Sequence, residues 1–155
     1  MFDGYEAPHD LVAPEDVVDE LSSVFAQRDR LDARITDLIH QAWETSAYER
    51  DGYTSVTAML KHRMSLHPGE AQRLVARANG LTATPLVALA YARGAISGAQ
   101  VDLLLEARGT ADEAFVDAEG ELVEGAKDKP LLSDVRKKLA YWLDGVGRSD
   151  VAMDR

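Results

Sequence analysis

The fold is indicated most clearly by residues 65–80, which read SLHPGEAQRLVARANG. A polar turn comes first, and Pro68 stands where a helix would begin, a position that suits proline. Gly80 stands where the helix would end, as a left-handed cap. The apolar residues between them recur at helical spacing: Ala71, Leu74, Val75 and Ala78. The stretch predicts a helix over residues 68–79, preceded by a tight turn.

A second copy of this pattern follows about 30 residues later. Residues 66–71 align with residues 96–101, and each segment joins two amphipathic helices. Thr54 or Ser55 caps the helix that precedes the first turn, and Ser97 caps the helix that follows the second. The weak repeat predicts two stacked helical hairpins, although amphipathic helices also resemble one another by chance.

The region upstream carries a long heptad pattern. Its seam positions are Val17, Leu21, Val24, Arg28, Leu31, Ile35, Leu38 and Ala42, and the intervals alternate between four and three residues. Pro14 opens the segment and no glycine interrupts it before Gly52. The pattern predicts one helix over residues 14–49, about 50 Å long.

This long helix predicts a homo-oligomer, most simply a dimer. The expected interface residues are Val17, Leu21, Val24, Leu31, Ile35 and Leu38. The alternative is that the helix packs along its own domain. Arg28 interrupts the seam, which indicates register control, a carboxylate partner across the seam, or a curved helix that turns Arg28 to water.

The expected fold class is all-α: a long N-terminal helix, two stacked helical hairpins and a C-terminal helix. Residues 1–13 are expected to form a flexible tail and residues 14–109 the core. Residues 110–130, TADEAFVDAEGELVEGAKDKP, are rich in acids and glycine and predict an acidic linker with a short helix near its start. A C-terminal helix is expected over residues 131–147, followed by a frayed tail over residues 148–155.

Composition restricts the function further. The 155 residues include no cysteine and carry a net charge of −10, which disfavours non-specific binding to nucleic acid. Residues 50–93 differ, with six basic and two acidic side chains. No apolar run is long enough to span a membrane, and the acidic N-terminus does not resemble a signal peptide, so we expect a cytoplasmic protein.

Catalytic motifs are not evident. The sequence contains no phosphate-binding loop, nucleophile elbow or zinc-protease motif. His62 and His67 lie five residues apart, but Glu70 is the only further ligand candidate nearby, which is too few for a metal site. We therefore expect no enzyme, no metal and no cofactor.

DNA contact is a hypothesis based on the basic segment. Gln72, Arg73 and Arg77 lie on the predicted second helix of the first hairpin, where they could contact bases. Lys61 and Arg63, with Arg50, could contact phosphates. The alternative is an ordinary solvated helix face.

Several of these segments together resemble one family. They are residues 31–35, 52–60, 70–78, 85–86 and 90–97. Their order resembles the domain of unknown function 222 (DUF222) family, the N-terminal helical domain of many actinobacterial endonuclease-like proteins with a His-Asn-His motif, including repeat-encoded ones. The resemblance implies a non-catalytic, DNA-associated helical module.

Two departures from the family accompany the resemblance. No residue here matches the His-Asn-His site, so no nuclease residue is carried over, and the acidic segment 110–130 replaces what is usually helix. We expect a truncated, stand-alone or phage-borne member, or the N-terminal part of a longer protein. The alternative function is a dimerisation module built on the heptad helix, and the two functions are compatible, since a dimer would present two helix-turn-helix units at fixed spacing.

Overall fold

The computed structural model of this chain describes residues 11–128 and 131–153, with side chains described as far as Val151. A single 3-10 turn, Pro14–Asp16, precedes eight α-helices, and no strand occurs in these ranges. The helices are α1 (Val17–Glu44), α2 (Ala47–Arg50), α3 (Val56–Arg63), α4 (Pro68–Leu81), α5 (Pro85–Ala92), α6 (Gly98–Thr110), α7 (Asp112–Lys127) and α8 (Leu132–Met153). The all-α class is confirmed.

The long N-terminal helix is shorter than predicted. α1 has 28 residues and spans about 42 Å. Ser46 adopts a left-handed backbone conformation, with φ of 56°, and this redirects the chain into the short helix α2. The expectation of one helix to residue 49 was wrong, because the turn at Ser46 returns Tyr48 to a buried position near Ile39.

Two clusters of buried side chains form the core. The N-terminal cluster joins the end of α1 to α2, α3 and α4, with Ile39, Tyr48, Val56, Leu60, Ala71 and Ala78. The C-terminal cluster is larger and draws on α5, α6, α7 and α8, with Val87, Tyr91, Ile96, Val101, Leu104, Phe115, Leu122, Val123 and Val135 among its members. α4 and α6 contact each other and so join the two halves.

Four of the eight described helix starts follow from local chemistry. Ser55 Oγ accepts a hydrogen bond from the backbone N–H of Ala58 at 3.0 Å, and Ser97 forms a reciprocal capping box with Gln100. Pro68 and Pro85 begin α4 and α5. The caps at Ser55 and Ser97 and the helix starts at Pro68 and Pro85, predicted from the sequence, are confirmed.

Gly80 does not cap α4 as predicted. α4 continues to Leu81, and Gly80 is not among the residues with a positive φ. A Cβ atom at position 80 would lie 2.8 Å from Leu105 Cδ1. The absence of a side chain at Gly80 therefore allows α4 to approach Leu105 of α6 closely. The prediction that Gly80 is a left-handed cap was wrong.

The expected acidic linker is mostly a packed helix. α7 occupies residues 112–127 and buries Phe115, Leu122, Val123 and Ala126. The acids Asp117, Glu121 and Glu124 lie on its exposed face. The linker prediction was wrong because Gly120 and Gly125, which suggested breaks, lie inside the helix where neighbouring side chains approach them.

The C-terminal helix is longer than predicted. α8 reaches Met153, so residues 148–153 are helical rather than a frayed tail. Trp142 from α8 meets the ring of Phe115 edge-on at 6.1 Å. At the other end, residues 11–13 of the predicted flexible tail are exposed and lack regular structure, while residues 1–10 lie outside the described residues.

The predicted repeat corresponds to two helix pairs. α3 and α4 begin at residues 56 and 68, and α5 and α6 begin at residues 85 and 98. The stacking of these pairs as structural repeats stays a prediction. None of the helices in the described part of the chain is both long and apolar enough to cross a membrane.

Candidate functional site

The heptad seam of α1 lies on the surface. All six residues predicted for an oligomer interface are exposed, from 42% for Ile35 to 64% for Leu31. Val18, Phe25 and Trp43 add further exposed apolar side chains beside them. We call the row Val17, Leu21, Val24, Arg28, Leu31, Ile35, Leu38 and Ala42 the seam.

A different face of α1 holds the helix to its own domain. Ala26, Asp29, Ala33 and Thr36 lie on this inner face and are partly or fully buried, and α1 contacts α4 and α5. Thr36 Oγ1 donates a hydrogen bond to the carbonyl oxygen of Ala33 at 2.8 Å. Desolvation raises the pKa of Asp29, and Asp32 adds to this while Arg28 opposes it. The seam therefore remains exposed when the inner face of α1 packs against α4 and α5.

The first third of α1 is exposed on all sides among residues 11–128 and 131–153. Every residue from 17 to 25 is exposed, and these nine residues cover all sides of the helix. Helix propensity alone gives little stability to such a segment. A packing partner would therefore stabilise it.

Arg28 is exposed within the seam. Its guanidinium lies 4.4 Å from the centre of the Phe25 ring, and its Nε lies 4.0 Å from Asp32 Oδ2 on the next turn. Both contacts are local to α1. The side chain of Arg28 is 59% exposed, so this ion pair is solvated and weak.

The predicted DNA-contacting residues fall into two groups. Lys61, Arg63, Gln72 and Arg73 are exposed on α3 and α4, and we call these four residues the hairpin patch. Arg63 Nη1 lies 3.5 Å from Asp51 Oδ2. Over the described ranges, neither Lys61 nor Arg73 has an ion-pair partner.

Arg77 belongs to the interior rather than to this patch. It is 9% exposed, and its Nε and Nη2 each donate to one oxygen of Asp102 at 2.8 Å. Its Nη1 donates to Tyr91 Oη at 3.0 Å. The hydrogen bonds to Asp102 raise the pKa of Arg77 despite its burial. The prediction that Arg77 contacts DNA is corrected, since its donors are engaged inside the protein.

The cluster of Arg77, Asp102 and Tyr91 explains why a glycine stands at position 98, and it shifts the pKa of Tyr91. A Cβ atom at position 98 would lie 2.8 Å from Arg77 Nη1, so the start of α6 leaves room for the guanidinium. Burial raises the pKa of the Tyr91 hydroxyl, and the nearby charge of Arg77 lowers it in part. The cluster links α4, α5 and α6, which is a structural role.

Glu119 is a further buried polar residue that the sequence analysis missed. Its Oε1 accepts hydrogen bonds from the backbone N–H groups of Leu86 at 2.7 Å and Val87 at 3.0 Å. These groups lie in the first turn of α5, where the helix dipole favours a negative charge. Glu119 therefore caps α5 from a helix more than 30 residues away. In the sequence, its helical spacing from the apolar residues Phe115 and Leu122 could have indicated that Glu119 is buried.

The two histidines considered as metal ligands have separate contacts. His62 Nδ1 lies 2.8 Å from Tyr53 Oη, whereas His67 Nδ1 accepts a hydrogen bond from the backbone N–H of Gly69 at 3.1 Å. In residues 11–128 and 131–153, no group of three or more His, Asp or Glu side chains is placed to hold a metal ion.

A groove of about 590 Å³ lies where α1, α4 and α5 meet. Of its ionisable side chains, Arg34 Nη1 pairs with Asp37 Oδ2 at 2.8 Å and His40 Nε2 lies 3.7 Å from Glu44 Oε1, and Arg30 also lines the groove. Small apolar residues such as Ala33, Ala78 and Ala88 share the lining with the threonines Thr36 and Thr82.

The fold and these surfaces define a small all-α protein with an exposed heptad seam and a basic helical hairpin. A family model described as "Domain of unknown function (DUF222)" matches residues 18–127, and the chain belongs to this family. The match ends at the last residue of α7, so the acidic segment is largely part of the family domain. No curated protein and no solved structure matches the chain.

Proposed function

We propose that this protein is a self-associating helical module and that the seam of α1 is its interface. The observation that carries the proposal is the exposure of all six predicted interface residues on one helix. Large aliphatic side chains in a row at heptad spacing are typical of a helix that packs on another helix. Burial of the exposed part of each would contribute roughly 1 kcal/mol.

A second copy of the chain is the simplest occupant of the seam. The chain's own helices pack against the inner face of α1, as described for Ala33 and Thr36. A heptad seam is complementary to an identical seam, since knobs from one helix fit holes of the other. Contiguous exposed apolar surface on this scale is also typical of interaction sites.

Light scattering over a range of concentrations tests this proposal. The wild-type chain is expected to show twice its 16.9 kDa mass once the concentration exceeds the dissociation constant. The double variant Leu31→Lys, Ile35→Lys should remain a monomer, because it places charges in the seam. Val116→Lys is the matched control, since Val116 is 63% exposed on α7. A wild-type mass of 16.9 kDa at every concentration would contradict the proposal.

DNA association is a second candidate function, favoured by the hairpin patch. α3, a four-residue turn and α4 follow the order of a helix-turn-helix, in which the second helix enters the major groove. Gln72 and Arg73 lie in the first half of α4, are exposed, and carry donors suited to base edges. Lys61 and Arg63 would contact phosphates, as expected for a basic segment in an acidic chain.

Fluorescence anisotropy with a labelled DNA duplex at two salt concentrations tests this candidate. The double variant Lys61→Glu, Arg73→Glu should bind at least tenfold more weakly, and the slope of log affinity against log salt should fall by about one, because Lys61 is the phosphate contact of the two. The control is Arg136→Glu, Lys137→Glu, which makes the same charge change on exposed residues of α8. Equal affinities for the two double variants would exclude the hairpin patch as the binding surface.

A further inference from the structure

We propose that two copies associate with their α1 helices antiparallel, related by a twofold axis between Arg28 and Leu31. This inference rests on the proposed self-association and specifies its geometry. The partner is therefore a second copy in one orientation. The order of the seam permits this orientation, and two features favour it over a parallel pair: the charge at Arg28 and the distribution of acids along the helix.

The seam reads the same in both directions. Its intervals are 4, 3, 4, 3, 4, 3 and 4 residues from Val17 to Ala42. Antiparallel pairing can therefore place every seam residue opposite a seam residue of the partner. The layers are Val17 with Ala42, Leu21 with Leu38, Val24 with Ile35, and Arg28 with Leu31. The whole length of the seam is used, including the exposed segment 17–25.

Arg28 distinguishes the two orientations. In a parallel, in-register pair the two Arg28 side chains would face each other in the seam, and like charges there are destabilising. In the antiparallel pair each Arg28 lies beside the partner's Leu31, with the partner's Asp32 one residue further along. Within a single copy, Asp32 Oδ2 lies 4.0 Å from Arg28 Nε, which is a long distance for an ion pair. The antiparallel pair gives each guanidinium a second carboxylate.

The acidic end of α1 favours the same orientation. Glu15, Asp16, Asp19 and Glu20 lie at or just before its N-terminus, and all are exposed. A parallel pair would bring both sets of these carboxylates together. An antiparallel pair instead places them near the partner's residues 39–44, which include His40 and a single acid, Glu44. Antiparallel helices also align their dipoles favourably.

Disulfide cross-linking tests the orientation, because the chain has no cysteine of its own. The variants Leu21→Cys and Leu38→Cys are made separately; both sites are exposed, so the fold should be retained. In the antiparallel pair the two copies of position 21 would lie about 25 Å apart along the axis, far beyond the reach of a disulfide. The thiol introduced at position 21 of one copy would instead face the thiol at position 38 of the other.

We expect a disulfide-linked dimer when the two variants are mixed and oxidised, and little when either is oxidised alone. The mixed pair should react at least tenfold faster than Val116→Cys, which reports random collision. Cross-linking within each variant alone would indicate parallel helices and overturn this inference while leaving self-association intact. A mixed pair no faster than the control would also overturn it. A monomeric mass for the wild type would overturn the inference together with the proposed function.

Discussion

Arg73 and Arg77 lie one turn apart on α4 but have different environments. Arg73 is exposed and carries its charge to the surface, whereas Arg77 is buried in a bidentate pair with Asp102. The difference depends on α6, because Asp102 lies 25 residues further along the chain. Sequence periodicity identifies the apolar face of α4, but it does not show which polar residue at its margin meets a carboxylate. Arg77 was therefore predicted wrongly for a physical reason: its partner is distant in sequence.

Arg77→Ala is expected to destabilise the fold by about 2–4 kcal/mol, because it leaves the carboxylate of Asp102 and the hydroxyl of Tyr91 without their donor. Urea unfolding followed by circular dichroism measures the change. Arg73→Ala is the matched control on the same helix and should leave the unfolding midpoint almost unchanged. Similar midpoints for the two variants would show that the buried network contributes nothing.

At the scale of elements, sequence predicts best where the determinants are local. Pro68, Pro85, Ser55 and Ser97 act within their own first helical turn, so the starts of their helices were predicted. Only the start of α7 was predicted, as a short helix, because the determinants of its second half are tertiary. Glu119 lies on its apolar face and accepts hydrogen bonds from backbone groups of α5. The break at Ser46 was also missed, since no glycine or proline marks it.

Leu122→Ala should reduce the free energy of unfolding by about 2–4 kcal/mol, because Leu122 is buried against the C-terminal cluster and its removal leaves a cavity. Val116→Ala on the exposed face of α7 is the control and should have little effect. Thermal or urea denaturation measures both. If Leu122→Ala matched the control, the segment would behave as the linker first expected rather than as part of the core.

At the scale of the whole molecule, the seam and the hairpin patch differ in how much of each could be predicted from the sequence. The seam depends only on spacing along one helix, so its residues could be chosen from the sequence. Its exposure could not, because that depends on which face α4 and α5 cover. For the hairpin patch, residue types were informative, but the pairing of Arg63 with Asp51 joins residues that are 12 positions apart. Such a contact follows from the tertiary fold rather than from the spacing of charges.

Self-association should make thermal stability depend on protein concentration. If unfolding separates the copies, a hundredfold increase in concentration stabilises the native pair by about 2.7 kcal/mol, which raises the Tm by several degrees. The Leu31→Lys, Ile35→Lys variant should have a Tm independent of concentration. Differential scanning fluorimetry over this range measures both. A constant wild-type Tm would argue against linkage between the seam and folding.

The two core clusters also give the protein an intrinsic optical reporter in each half. Of its two tryptophans, Trp43 stacks on Tyr48 of the N-terminal cluster, and Trp142 meets Phe115 of the C-terminal cluster. Replacing either with phenylalanine leaves a fluorophore that follows one cluster alone. The fluorescence of the two single-tryptophan proteins would thus show whether the halves, joined through Arg77, melt together or in sequence.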